Sequence, residues 1–244
     1  MENQQQTLNG KKVVLLGASS GLGLETAKAA AAAGAKIIIV SSNQGRIDAA
    51  LQQLPEHSEG YTADLASESQ IISLFEKIGN FDHLVFTAGE NIKLGHLEAT
   101  TIEDARMYFN VRYWGAVTAV KYATPYINKQ GSIVLTGGIA GSRPNAGWSI
   151  AASICSAMEG FTRAMAVELA PIRVNIVCPG VVRTNLWAGM SEQDREAMYE
   201  HLSVSLPVQR VGEAEDIAKT YLYLIEQPYS TGQTIIVDGG GVLV

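Results

Sequence analysis

Short apolar runs alternate along this chain with stretches whose apolar residues recur at helical spacing. The first run, Val13-Val14-Leu15-Leu16, is too short for a membrane span and is closed by Gly17, which predicts a buried strand. Leu24-Glu25-Thr26-Ala27-Lys28-Ala29-Ala30 follows, a segment of high helix propensity that ends near Gly34. Lys36-Ile37-Ile38-Ile39-Val40 reads as a second buried strand, and Ser41-Ser42-Asn43 offers caps for a helix through Ile47, Ala50 and Leu54. A third strand ends at Tyr61-Thr62-Ala63-Asp64, and Ile71, Ile72 and Phe75 mark the next helix. His83-Leu84-Val85-Phe86 is a fourth strand that runs into Thr87-Ala88-Gly89. A long helix is expected from about Ile102 to Ile127, then a fifth strand, Ser132-Ile133-Val134-Leu135-Thr136, ending at Gly137-Gly138. Another helix is expected from about Trp148 to Leu169. Val174-Asn175-Ile176-Val177 and Ile235-Ile236-Val237 make seven strands, closed by Cys178-Pro179-Gly180 and Asp238-Gly239-Gly240-Gly241.

Strand and helix alternate throughout, which implies an α/β fold of parallel strands joined by right-handed crossovers, with helices on both faces. No linker, repeat or low-complexity segment interrupts residues 1–244, so one domain is expected. The pattern breaks between Val181 and Val211. That segment carries Trp187, Met190, Met198 and Tyr199, and an excursion of this size beside a sheet's carboxyl edge is expected to be a substrate lid, at about 183–210.

Composition narrows the function classes. A chain of 244 residues is long enough to build a full core without staples. A net charge of −6 argues against nucleic acid and against an anionic membrane surface. The polar start Met1-Glu2-Asn3-Gln4-Gln5-Gln6 is not a signal peptide, and no apolar run reaches the length of a bilayer span. Cys155 and Cys178 lack metal-ligand spacing and fit a reducing compartment, so the expectation is a cytoplasmic protein without a metal.

The first strand, its glycines and the helix behind them carry the first chemistry. Gly17, Gly21 and Gly23 lie between strand and helix, with Ser19, Ser20 and Leu22 among them. Backbone N–H groups of such a turn and the helix N-terminus converge on one spot of partial positive charge, which suits a phosphate. Gly17 suits a tight turn, Gly21 a close approach of pyrophosphate, and Gly23 close packing of helix on strand. An ordinary βα turn is the alternative.

With these motifs in view, the chain resembles the short-chain dehydrogenase/reductase family over nearly its full length. The matches are Gly17-x-x-x-Gly21-x-Gly23, Asp64-Leu65, Ala88-Gly89, Arg173-Val174-Asn175, Pro179-Gly180-Val181-Val182-x-Thr184, Arg210-Val211-Gly212, Asp216-Ile217-Ala218 and Thr231-Gly232-Gln233 through Asp238-Gly239-Gly240. The resemblance implies a Rossmann-type, doubly wound, seven-stranded parallel sheet, a nicotinamide cofactor, and hydride transfer to or from a carbonyl. It implies cofactor contacts from Gly17, Ser19, Ser20, Gly21, Leu22, Gly23, Ser41, Ser42, Asn43, Arg46, Asp64, Leu65, Thr87, Ala88, Gly89, Thr136, Pro179, Gly180, Val182 and Thr184. It also implies a homodimer or homotetramer, for which the Ala-rich helix ending near Leu169 and the apolar terminus Val242-Leu243-Val244 are suited.

The family's catalytic tetrad is Asn, Ser, Tyr and Lys, the last two as Tyr-x-x-x-Lys. Here Ile150 stands at the Tyr position, Ile154 at the Lys position and Gly138 at the Ser position. Aligning Gly115 and Pro125 puts Arg112 at the Asn position, and Asn110 lies two residues earlier. Ile150 has no proton to give and Ile154 no charge. Four residues apart, they are expected on one helix face as an apolar wall. Arg112 is either an electrostatic stabiliser of a developing oxyanion or an ion-paired residue of the long helix. Ser149, Ser153 and Tyr113 are substitute hydroxyls in one reading and packing or capping residues in the other. After the second strand, Ser41, Ser42, Asn43 and Arg46 offer donors and no acid, which selects NADP(H) over NAD(H). The expectation is an atypical NADP(H)-dependent reductase of an activated carbonyl or quinone-like, hydrophobic small molecule. The alternative is a catalytically inactive NADPH-binding sensor or scaffold.

Overall fold

The computed structural model describes residues 6–91 and 94–244. The apolar runs become the strands of one sheet: β1 (Lys12–Leu16), β2 (Lys36–Ser41), β3 (Glu59–Thr62), β4 (Phe81–Phe86), β5 (Ile127–Thr136), β6 (Arg173–Pro179) and, last in the chain, β9 (Thr234–Val237). All seven are parallel, in the order β3-β2-β1-β4-β5-β6-β9. Val13 of β1 lies opposite Ile37 and His83, and Leu16 opposite Val40 and Phe86, so the carboxyl ends of β1, β2 and β4 finish level. The chain runs outward from β1 on one side and from β4 on the other. The crevice between these two strands is where such a sheet takes its ligand.

Strand side chains alternate between two cores. Val14, Leu16, Ile38, Val40, Leu84 and Phe86 pack on one face with Ile71 and Phe75 of α3 (Glu68–Ile78), Ala119 and Val120 of α5 (Ala116–Ala123), and Met158 of α6 (Ser149–Glu168). Val13, Leu15, Ile37, Ile39 and Val85 pack on the other with Leu24 and Ala27 of α1 (Gly21–Ala32), Ile47 of α2 (Gln44–Leu51), and Ile217 and Tyr221 of α8 (Ala214–Glu226). The sheet is doubly wound, as the alternating pattern predicts.

Three regions depart from the sequence-based expectations. The third strand ends at Thr62, and Ala63 and Asp64 lie beyond it. The long helix expected from Ile102 to Ile127 is α4 (Ile102–Phe109), a π-helical turn at Asn110–Gly115, α5, and a 3-10 turn at Thr124–Tyr126 holding Pro125. Gly115 explains the widened turn: a Cβ there would stand 2.7 Å from the Leu65 carbonyl oxygen, so the helix backbone presses directly on the loop after β3. Ile127 belongs to β5 and pairs with Phe81. Finally, the 181–211 segment holds β7 (Val182–Arg183), a 3-10 turn at Asn185–Trp187 and α7 (Glu192–Ser205). Strand β7 pairs in parallel with β8 (Gly212–Glu213). Helix α7 has a single buried residue, Tyr199, and therefore no apolar stripe to read. It is held by a cap, in which Asp194 N donates to Ser191 Oγ at 3.1 Å, and by Arg183 lying over the Tyr199 ring at 4.2 Å. Among the described residues no helix is long and apolar enough to cross a membrane.

Candidate active site

The glycine turn sits in the crevice because of what surrounds it. Gly17 has φ +89° and its N–H donates to Val40 O of the neighbouring strand at 2.9 Å. A Cβ on Gly17 would lie 2.5 Å from Ala88 N, so the turn and the end of β4 touch backbone to backbone. Gly23 meets Thr87 in the same way: a Cβ would come within 2.5 Å of Thr87 Oγ1, whose hydroxyl donates to the Leu16 and Gly17 carbonyls at 3.2 Å each. Gly21, at φ +54°, faces Thr184 from beyond β7, with 3.5 Å between its would-be Cβ and the Thr184 methyl. Helix α1 begins without a side-chain cap at Ser20 and without an acidic residue in its first turn. Its first N–H groups thus keep their positive end for an external anion. A bare helix start, beside a glycine that any side chain would widen, fits a dinucleotide pyrophosphate.

Beside the glycine turn lie the loops after β2 and β3, where the resemblance implies further cofactor contacts. Ser41 is buried and accepts a bond from Ser19 Oγ at 3.1 Å, which ties the glycine turn to β2. Asn43 accepts from Arg46 N at 2.9 Å and caps α2, while Ser42 and the Arg46 side chain are exposed. Thr62 Oγ1 donates to Gln44 Oε1 at 2.6 Å, joining the two loops. Asp64 is exposed. Its Oδ1 accepts from Ala66 N at 2.9 Å, and its own N–H donates to Gln70 Oε1. Leu65 is buried against the π-helical turn.

Beyond β4, Gly89, the π-helical turn and α6 bring together the positions that the resemblance aligns with the tetrad. Arg112, on the π-helical turn, folds across Gly89: a Cβ on Gly89 would stand 2.8 Å from Arg112 Cζ. Its guanidinium donates through Nε to the Glu90 carbonyl at 3.0 Å, and through Nη2 to the same oxygen. Burial pulls the guanidinium below its ordinary value, against the opposing charge of Glu90. Glu90 Oε1 accepts from Val111 N at 2.9 Å. Its Oε2 is enclosed and has no hydrogen-bond partner among the described residues. Ile150 is half-buried and Ile154 is only 4% exposed, both against the core cluster of that face. The apolar wall expected from this pair is therefore presented by Ile150, with Ile154 closed into the core. Ser153 Oγ donates to Ser149 O at 2.8 Å within α6, and Tyr113 packs edge-on to Phe109, Trp114 and Phe161. Both follow the packing and capping reading.

Thr136, at the end of β5, donates to Phe86 O at 2.5 Å and shares a 2.6 Å hydrogen bond with the buried Tyr221 hydroxyl. That hydroxyl is engaged in joining β4, β5 and α8. Pro179 ends β6, the Gly180 N–H donates to Val237 O at 3.0 Å, and Val182 is buried in β7. Above them Trp187 Nε1 donates to Val182 O at 3.0 Å, which pins the 3-10 turn to the sheet edge, with half-buried Met190 just after it. One residue went unassigned in the sequence. Cys155 Sγ lies 3.3 Å from where a Cβ on Gly138 would be, a contact that bridges 17 positions and has no signature along the chain.

Known proteins share this architecture. The Enoyl-(Acyl carrier protein) reductase family profile matches residues 17–241. The short-chain dehydrogenase/reductase fsr5 of Gibberella fujikuroi is 32% identical, over 97% of this chain and 96% of its own. A small-chain dehydrogenase solved in complex with NADPH is 37% identical with a TM-score of 0.82, covering 96% of this chain and 99% of the other. The MalC reductase/Diels-Alderase of Malbranchea aurantiaca is 27% identical with a TM-score of 0.91 over the whole of both chains. With its doubly wound sheet, its glycine turn in the crevice and relatives aligned end to end, the chain belongs to the short-chain dehydrogenase/reductase family of oxidoreductases.

Proposed function

We propose that this protein is an atypical NADPH-dependent reductase that delivers hydride to an activated carbonyl or a quinone-like ring. The observation that carries the reading is Arg112 folded over Gly89, taken with the half-buried Ile150 where the resemblance sets the family's Tyr. Reducing an ordinary ketone puts a strongly basic alkoxide on oxygen, and a general acid contributes roughly 10²–10⁴-fold there. Ile150 gives no such help. A quinone needs little of it, because hydride addition leaves a resonance-stabilised phenolate that water can protonate later. An apolar wall suits a flat ring, and a guanidinium offsets the charge that develops on its oxygen.

NADP(H) as the cofactor is supported by three features. The loop after β2 carries Ser41, Ser42 and Asn43 with no acid. Arg46 is exposed one helical turn on. A relative at 37% identity was solved with NADPH. When bound, the cofactor supplies the hydride. The chain supplies the pyrophosphate cradle at Gly17–Gly23, the ribose end at Ser42 and Arg46, and the Arg112 charge. A second reading, an NADPH-binding sensor or scaffold without turnover, is favoured by the loss of both the Tyr and the Lys. Arg112→Ala separates the two. We expect quinone-dependent NADPH oxidation to fall by roughly 10²-fold in this variant, with NADPH affinity retained. NADPH binding by the parent with no acceptor reduced would leave the sensor reading.

A further inference from the structure

We propose that Glu90 is the positioning residue for Arg112: its carboxylate fixes the π-helical turn that carries the guanidinium and supplies the negative charge against which that guanidinium is enclosed. The use made of the placed charge rests on the reductase reading above; its placement does not. Residue 90 reaches the turn twice. Its side chain accepts from Val111 N at 2.9 Å, at the point where α4 gives way to the π-helical turn. A side-chain acceptor inserted into the helical ladder is one of the few causes of a local break in a helix. Its carbonyl accepts from Nε of Arg112 at 3.0 Å and from Nη2 of the same side chain. The backbone amide of one helix residue and the guanidinium of the next are thus tied to a single loop residue just past β4. Gly89 makes room for this. A Cβ there would stand 2.8 Å from both Cγ and Cζ of Arg112, so only a bare backbone lets the side chain cross the chain to the carbonyl beyond.

Charge binds the pair as well as geometry. Oε2 of Glu90 is enclosed without a hydrogen-bond partner among the described residues. An enclosed carboxylate with one oxygen unmatched is costly unless a positive charge stands beside it. Arg112 is that charge. The dependence is mutual, since burial pulls the guanidinium down and the opposing charge of Glu90 holds it up. Removing one partner of such a pair leaves the other as a lone enclosed charge.

Glu90→Gln carries the first test, because the amide keeps an acceptor for Val111 N and loses the charge. It lowers the melting temperature of the parent and raises that of Arg112→Ala, where the carboxylate has lost its counter-charge. A shift of the same sign in both backgrounds overturns the proposal. Placement is read with phenylglyoxal, which modifies guanidinium groups, and mass spectrometry, with exposed Arg46 as the internal reference. Arg112 is modified at least about threefold faster in Glu90→Ala than in the parent, and within about twofold of the parent rate in Glu90→Gln. Equal rates in the parent and Glu90→Ala overturn the proposal. With NADPH and a quinone, Glu90→Ala lowers kcat roughly tenfold and leaves NADPH affinity within about twofold of the parent. In Arg112→Ala the same substitution changes kcat by less than about twofold, because Glu90 acts only through the guanidinium. An equal loss in both backgrounds is what a merely structural residue gives, and overturns the proposal. A parent that reduces no quinone, with Arg112 modified faster in Glu90→Ala, overturns the reductase reading and keeps the placement. The melting test needs no Glu90→Ala protein, so it decides where that variant does not fold.

Discussion

Gly17 combines two demands that a single methyl group would break. At φ +89° any L side chain costs about 1–2 kcal/mol of backbone strain. The Cβ would also meet Ala88 N at 2.5 Å, and backbone cannot swing aside as a side chain does. Gly17→Ala is expected to lower the melting temperature and to weaken NADPH binding by more than tenfold, measured by thermal melt and by fluorescence titration. Ser42 tests a different force. It is exposed at the end of β2, and Ser42→Asp sets a carboxylate where a 2′-phosphate would lie. The parent should bind NADPH more tightly than NADH and the variant should reverse the order. Equal affinities in the parent would remove the argument from Ser41, Ser42 and Asn43. The glycines were legible because each answers to its own turn, and spacing along the chain records that. The contact of Cys155 with Gly138 was not, since it joins residues 17 positions apart. Thr136 shows the same limit: its bond to Tyr221 joins residues 85 positions apart.

At the scale of elements, β1, β2, β4 and β6 were legible because each is a short apolar run buried on both faces. The π-helical turn was not. There Gly115 packs on the Leu65 carbonyl, a contact between helix backbone and a loop with no periodic signature. It also places Arg112, so Gly115→Ala should act at a distance. The added methyl, 2.7 Å from that oxygen, pushes the turn away and should lower quinone turnover as well as the melting temperature. An intact kcat in a destabilised variant would separate the turn from the chemistry. Helix α6 offers the converse test. Ile150→Tyr sets a phenol at a half-buried position and, on the proposed function, should raise reduction of plain ketones. Adding Ile154→Lys forces an ammonium into a position 4% exposed. This costs several kcal/mol unless the head reaches water or the cofactor, so the double variant should melt earlier than the single one. Helix α7 was hidden for another reason: with only Tyr199 buried, it lacks the stripe by which surface helices are read.

The whole molecule carries its own pH dependence. His83, in the middle of β4, is buried and bonded through Nδ1 to Ser132 Oγ at 2.9 Å. Burial pulls it from its usual 6.5 to about 4. A base with a depressed folded value takes up its proton more readily when unfolded. Its contribution is therefore complete above 6.5 and is lost as the pH falls from 6.5 to 4. Melting temperature should drop across that window, and less so in His83→Gln, which keeps an amide near Ser132 but does not titrate. Assembly is a second molecular property. Ile102, Met107 and Trp114 are each at least half exposed, and a groove lined by Ile102, Phe109 and Trp114 runs along α4. With exposed Leu243 and Val244 they offer apolar surface for association. Light scattering at micromolar concentration should give a dimer or tetramer, and a monomer mass would contradict this.

In the proposed function, hydride transfer proceeds without a phenol at position 150. The direct measurement is steady-state NADPH oxidation by the parent protein, run side by side with a quinone and with a simple cyclic ketone. The expected kcat/KM for the quinone is at least ~10²-fold above that for the ketone, the size of effect a missing general acid leaves behind. Ketone turnover equal to or faster than quinone turnover would contradict it, because it would mean that a proton donor is at work where Ile150 offers none.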